Sequence, residues 1–250
     1  MTLRLERDGP IGRLLIDRPD KRNAFNLAMW RLLPELLAEA VVDESLRVII
    51  LQSSTPGMFC AGADIAEMLA NKDDAQWRAD NQSAINAAQY ALARAPKPVI
   101  AFVDGDCIGG GCGLALACDM RVATGRSRFG ITPSNLGLVY PLHDTKLLVD
   151  LVGPGQAKRL LFSAQLIAAD AALRIGLIEE IGESADGLAQ LIASKSAHST
   201  HEVKGFVRRN LDGQVEDDAA TLAIFADAFT KPDFAEGTAA FMEKRKPNFR

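Results

Sequence analysis

Four short apolar runs, Ile11–Ile16, Leu46–Leu51, Pro98–Val103 and Met120–Ala123, constrain the fold more than any other feature of the chain. They are rich in Ile, Val and Leu, the pattern of strands buried on both faces of a sheet. Stretches of helical period separate them. Leu27, Trp30, Leu33, Leu37 and Val41 share one helix face behind a cap at Asn26, and Pro34 requires either a kink or a later start of that helix. Gln76 to Arg94 fits a second helix. This alternation predicts an α/β fold with short strands and crossover helices. After about residue 143 the pattern turns almost wholly helical, with segments including Asp144–Val152, Gly155–Phe162 and Ala219–Phe229. We therefore expect an α/β core over residues 1–195 and a helical region over residues 196–250.

Composition excludes several functions. A 250-residue chain with 48% hydrophobic and 24% charged residues can bury a substantial core and an internal pocket. With a net charge of −4 and only two Trp and two Tyr, it offers no basic field or stacking platform, so nucleic acid is not the expected ligand. No run approaches the ~20 apolar residues of a membrane span, and MTLRLERDG lacks a signal-peptide pattern. A cytoplasmic protein without membrane contact is expected. Cys60, Cys107, Cys112 and Cys118 lie in apolar or Gly-rich segments and read as reduced, mostly buried thiols. None of His143, His198 and His201 pairs with cysteines or carboxylates at a ligand spacing, so no metal site is expected.

The Gly-rich run from Gly105 to Gly113 follows a strand and precedes an apolar helix pattern. It does not satisfy the G-x-G-x-x-G dinucleotide fingerprint, and neither a phosphate-loop G-K-[ST] nor a G-x-S-x-G nucleophile elbow occurs in the chain. What remains is a glycine turn opening a helix, where unpaired backbone N–H groups favour an oxyanion. Cys60-Ala-Gly-Ala-Asp-Ile65 is a second such entry. Each is equally compatible with tight backbone packing.

RPDKRNAF (18–25), FCAGADI (59–65), GDCIGGGCGLALACDM (105–120), FGITPSNLGLVYP (129–141) and EGTAAFMEKRKPNF (236–249) resemble, in order, successive landmarks of the crotonase, or enoyl-CoA hydratase/isomerase, superfamily. The likeness spans nearly the whole chain. It implies a spiral of β-β-α units, a C-terminal helical region that builds trimers or hexamers, and an acyl-CoA thioester as ligand, with coenzyme A as part of the substrate and no other cofactor. It further implies that the backbone N–H groups of Ala63 and Gly110 hold the thioester oxygen, a donor pair suited to an enolate. Lys21, Arg22, Ala61, Asp64, Ile65 and Lys244 fall at the family's CoA-binding positions.

The departures from the pattern are informative. Family hydratases carry one glutamate after G-G-G-C and another after F-G; here those positions hold Gly113 and Pro133, and the Lys after A-D-I is Ala66. Hydration needs a base near the water and an acid near the α-carbon. Within the superfamily, FGITPSNLGLVYP and EKRKPNF are more similar to methylmalonyl-CoA decarboxylase, which maps Thr132 and Tyr140 to the pocket. Decarboxylation leaves an enolate and needs no carboxylate base, so the sequence favours decarboxylation of a malonyl-type CoA. One position departs from that likeness too, Ala63 standing where the decarboxylase has His. The alternatives are an enoyl-CoA hydratase or isomerase using displaced acid–base groups such as His143 and Asp144, and a non-catalytic acyl-CoA-binding homologue. Asp144 also reads as a cap of the following helix, the favoured reading, and Tyr140 as packing under its loop, although its neighbours favour the pocket reading there. Asp64 and Glu67 read as helix N-terminal charges.

Overall fold

A computed structural model describes residues 2–249. In chain order the elements are β1 (Leu3–Asp8), β2 (Ile11–Ile16), α1 (Leu27–Val42), β3 (Val48–Ser53), β4 (Met58–Cys60), α2 (Ile65–Ala70), α3 (Ala75–Arg94), β5 (Val99–Val103), β6 (Asp106–Ile108) and α4 (Gly110–Ala117). There follow β7 (Met120–Ala123), β8 (Arg128–Gly130), α5 (Leu142–Ser163), β9 (Ile167–Ala168), α6 (Ala169–Arg174), β10 (Glu180–Ile181), α7 (Asp186–Ala193), α8 (Ala197–Leu211), α9 (Ala219–Ala228) and α10 (Pro232–Met242). The strands form one sheet in the order β1-β2-β3-β5-β7-β10 and a smaller one in the order β4-β6-β8-β9. Successive turns of the chain add one strand to each sheet, which is the spiral of β-β-α units.

The apolar runs form the central parallel strands for the expected reason. In β3, Ile49 and Leu51 enter the main core while Val48 and Ile50 enter a second core on the opposite face with Ile100, Val122 and Ala189 of α7. Helices on both faces of a parallel sheet leave no wet side. β1 was not foreseen as a strand: its charged, alternating sequence LRLERD suits the antiparallel edge it forms against β2. The strands of the small sheet have two or three residues each, too few to carry a period.

Asn26 caps α1, its side chain accepting from the Met29 N–H at 3.0 Å. The helix begins at Leu27 and continues through Pro34, so a later start is ruled out. An interior proline costs a helix about 3 kcal/mol; burial of Met29, Trp30, Leu33, Leu37 and Ala40 offsets it. α5 is interrupted where Gly153 takes φ 72°, which accounts for the two helices read on either side of it. All four cysteines are buried thiols, and burial pushes Cys60 and Cys118 to about 12. Among the described residues no helix is long and apolar enough to cross a membrane.

Candidate active site

β4 and β6 are parallel neighbours, and each leads directly into a helix entry, so the chain after Cys60 and the chain after Ile108 run side by side. The approach is close enough to require glycine. A Cβ on Gly62, whose φ is 99°, would stand 2.9 Å from the Ile108 carbonyl oxygen and 3.2 Å from the Gly110 nitrogen; one on Gly111 would meet the Cys60 carbonyl oxygen at 2.5 Å. Tight packing and a pair of N–H groups open to an acceptor are thus compatible in one geometry. The Ala63 nitrogen is 3.4 Å from the point a Cβ on Gly110 would occupy. Neither the Ala63 nor the Gly110 N–H has an acceptor among the described residues.

The segment 18–25 clamps this arrangement. The Ala61 N–H donates to the Arg22 carbonyl, the Phe25 N–H to Gly62, and the Asp64 N–H to Phe25, all within 3.0 Å. Asn23, fully buried, donates through Nδ2 to Ser53 Oγ and to the carbonyls of Met58 and Phe59. Asp64 caps α2 through the N–H groups of Ala66 and Glu67 and pairs with Arg18 at 2.8 Å. Although burial opposes it, Arg18 with these N–H groups holds the Asp64 carboxyl below its ordinary value. Asp64 is therefore structural and charged, and Glu67, accepting from the Leu27 N–H, is likewise a local anchor.

One turn along α4 from Gly110 lies a second cluster. A Cβ on Gly113 would be 2.5 Å from Gln89 Nε2, 3.3 Å from the Tyr140 hydroxyl and 3.4 Å from Asp144 Oδ1. The reading of Asp144 as a helix cap is corrected here. α5 starts at Leu142 with Pro141 as its cap residue, which places Asp144 inside the first turn with its side chain buried. Burial pushes its carboxyl up to about 7, against the opposing pull of the Gln89 amide. α5 thus brings beside Gly113 the carboxyl that the sequence offered as a displaced acid–base group, where α4 has none.

His143 does not join Asp144. Adjacent residues of a helix point about 100° apart, and His143 stacks on Tyr90 with ring centroids 4.1 Å apart. Burial, then Arg208 and Arg94, lowers its pKa. Thr132 borders the glycine turn, its Oγ1 3.9 Å from the point a Cβ on Gly109 would fill.

The family model described as Enoyl-CoA hydratase/isomerase matches residues 6–250. The chain belongs to the enoyl-CoA hydratase/isomerase family. It is 35% identical to the crotonyl-CoA hydratase of Syntrophomonas wolfei, with 98% of this chain and 96% of that protein covered. It is 33% identical to the short-chain-enoyl-CoA hydratase of Clostridium acetobutylicum, covering 97% and 95%. Among solved structures, an enoyl-CoA hydratase/isomerase family protein from Hyphomonas neptunium superposes with a TM-score of 0.96 at 35% identity, covering 100% of this chain and 98% of that one. An enoyl-CoA hydratase from Bacillus anthracis gives 0.90 at 28% identity, covering 100% and 99%.

Within this family member, the residues expected at the CoA end separate into two groups. Lys21, Arg22, Ala61, Asp64 and Ile65 lie together in the clamped loops, Lys21 and Arg22 exposed at the rim. Arg22 also reaches Asp106 at 3.2 Å. Lys244 is not brought to them within the chain. It is exposed beyond α10, and the tail closes on Arg47, whose guanidinium donates to the Phe249 carbonyl at the N-terminal end of β3, whereas the site lies at the C-terminal ends of strands. Two residues of the site were not foreseen. Trp30 lies 3.4 Å from a Cβ on Gly110. Gln89 had a signal: it is a polar residue in the apolar stripe Ala84, Ala88, Leu92 of α3.

Tyr140 is buried, and its hydroxyl makes one long contact, 3.5 Å to the Gly109 carbonyl. Burial, then the neighbouring Asp144, holds the phenol well above its ordinary value, so it stays neutral and can donate. Tyr140→Phe keeps the ring's packing and is expected to melt within a degree or two of the parent while losing about tenfold in turnover, the scale of one transition-state hydrogen bond. A much lower melting point, or full turnover, would make Tyr140 a packing residue only.

Proposed function

We propose that the protein transforms an enoyl-CoA thioester by proton transfer at the carbon beside the thioester, as hydration or double-bond shift, with Asp144 as its acid–base group. The observation that carries this reading is the Asp144 carboxyl, buried beside Gly113 and titrating near 7, where a proton can be both taken and returned at neutral pH. The N–H groups of Ala63 and Gly110 receive the thioester oxygen and stabilise its enolate, each contributing roughly 3 kcal/mol in the transition state. Tyr140 donates to the same region, Thr132 borders it, and Lys21 and Arg22 meet the CoA phosphates from the rim. No group beyond the thioester itself is required.

The hydratase names of the relatives support this reading over the decarboxylation favoured from the sequence alone. So does the chemistry, since a carboxyl above Gly113 would oppose the carboxylate of a malonyl-type substrate. Incubation with crotonyl-CoA, a 3-enoyl-CoA and methylmalonyl-CoA, followed by mass and by enoyl absorbance, tests it. Gain of one water or migration of the double bond is expected. Loss of carbon dioxide would restore the decarboxylase, and binding without change to any of them would leave an acyl-CoA-binding homologue.

A trimer or hexamer is proposed as the working assembly. Phe225, Phe229, Phe241 and Met242 of the C-terminal helices are exposed in the single chain, more apolar surface than a lone helical region leaves to water. Light scattering is expected to give three or six times the chain mass, and a stable monomer at micromolar concentration would refute this.

A further inference from the structure

The double-bond shift and hydration differ in one requirement: hydration must also hold a water. The geometry points to Gln89 as the residue that holds it, between its amide and the Asp144 carboxyl, so that the site is a hydratase in which a glutamine from α3 stands in for a side chain at position 113. This rests on Asp144 being the acid–base group.

Gln89 is 0% exposed, and its amide stands near enough to the Asp144 carboxyl to oppose that group's shift, yet neither Nε2 nor Oε1 completes a hydrogen bond within 3.5 Å and Asp144 Oδ1 is likewise without one. Burying an amide with both ends unpaired is unfavourable, and leucine would fill the same volume without that cost. The amide and the carboxyl oxygen, with the Tyr140 hydroxyl, surround the single point that a Cβ on Gly113 would occupy, Nε2 at 2.5 Å. A Cβ at 113 would push the Gln89 amide aside; the missing Cβ leaves it where it is. The two positions exchange roles, with the group that faces the acyl chain arriving from α3 instead of α4.

A primary amide is suited to this task. It both accepts and donates, so it can orient a water whose O–H points at the Asp144 carboxylate. In the addition, the water O–H bond to Asp144 breaks as the oxygen bonds to the β-carbon. The π-electron pair moves through the α-carbon to the thioester oxygen, held as an enolate by the Ala63 and Gly110 N–H groups. Asp144 then returns its proton to the α-carbon. The sum is one water added and the carboxylate restored. Gln89 neither gains nor loses a proton; it binds and orients the nucleophile.

The test compares two reactions of the whole protein: hydration of crotonyl-CoA, and exchange of the α-protons of butyryl-CoA with deuterated water. The exchange needs Asp144 and the oxyanion site but no bound nucleophile. Gln89→Leu is expected to lower the ratio of hydration to exchange at least tenfold, the effect of a lost hydrogen bond to the attacking water. Should the leucine variant melt far below the parent, Gln89→Met, unbranched and closer in shape, carries the same comparison. Equal loss of both reactions, or of neither, overturns the inference, as does a parent protein that exchanges α-protons without hydrating. Asp144→Asn distinguishes the underlying reading, because it must lower both; if it lowers neither, the assignment of Asp144 fails independently of Gln89.

Discussion

Asp144→Asn is expected to remove 10²- to 10⁴-fold of the turnover, the range of one general acid–base group, and at the same time to stabilise the fold above neutral pH. The two effects share one cause. The carboxyl has an ordinary value of 3.8 and is pushed to about 7 by burial in the folded chain. Between those values the folded chain keeps a proton that the unfolded chain has lost, so stability falls as pH rises. The contribution is fully present below about pH 4 and is lost as pH rises through about 7, amounting to about 4 kcal/mol at roughly 1.4 kcal/mol per pH unit. Asparagine has nearly the same shape and no charge. Its variant should therefore melt higher than the parent at pH 8 and close to it at pH 4, while the parent's activity rises with pH through about 7 as the base form accumulates. Melting curves at the two pH values and one pH–rate profile are sufficient. Unchanged turnover would remove Asp144 from the chemistry, and a parent whose stability is flat between pH 4 and 8 would show that its carboxyl titrates normally.

Gly110→Pro is expected to lower turnover 10²- to 10³-fold, the loss measured when one oxyanion donor is removed. Backbone donors escape ordinary mutagenesis, but Gly110 is the first residue of α4, the one helical position where proline is accommodated and its missing N–H breaks no helical hydrogen bond. Gly110→Ala is the control. It keeps the N–H, and its Cβ would meet the Trp30 ring and the Ala63 nitrogen at 3.4 Å, a contact the neighbours can absorb by small shifts. The expected order of turnover is parent, alanine, proline, with the large step at proline. A proline variant that melts like the parent and turns over at the alanine rate would place the thioester oxygen elsewhere.

Much of this was legible in the chain itself. The apolar runs became the central strands within one or two residues, because a strand buried on both faces must be apolar at successive positions, as Val48 to Leu51 are. The cap at Asn26 and the break at Gly153 are local events with local signals. The small sheet was not legible, since strands as short as Met58–Cys60 or Ile167–Ala168 exist only through their partners. Nor was the course of α1 through Pro34, where tertiary burial overrides a local penalty.

The sequence by itself determined the α/β class, the family and the two glycine-rich helix entries, because apolar periodicity and the need for glycine at a close backbone approach are written residue by residue. Only the tertiary structure decided which polar groups share the space over Gly113. Gln89, Tyr140 and Asp144 come from three separate stretches of chain, and the same Asp144 that local rules make a helix cap becomes a buried acid once α3, α4 and α5 close around it. Desolvation is what changes its chemistry. It depends on everything packed within a few ångströms, and no window of sequence contains that.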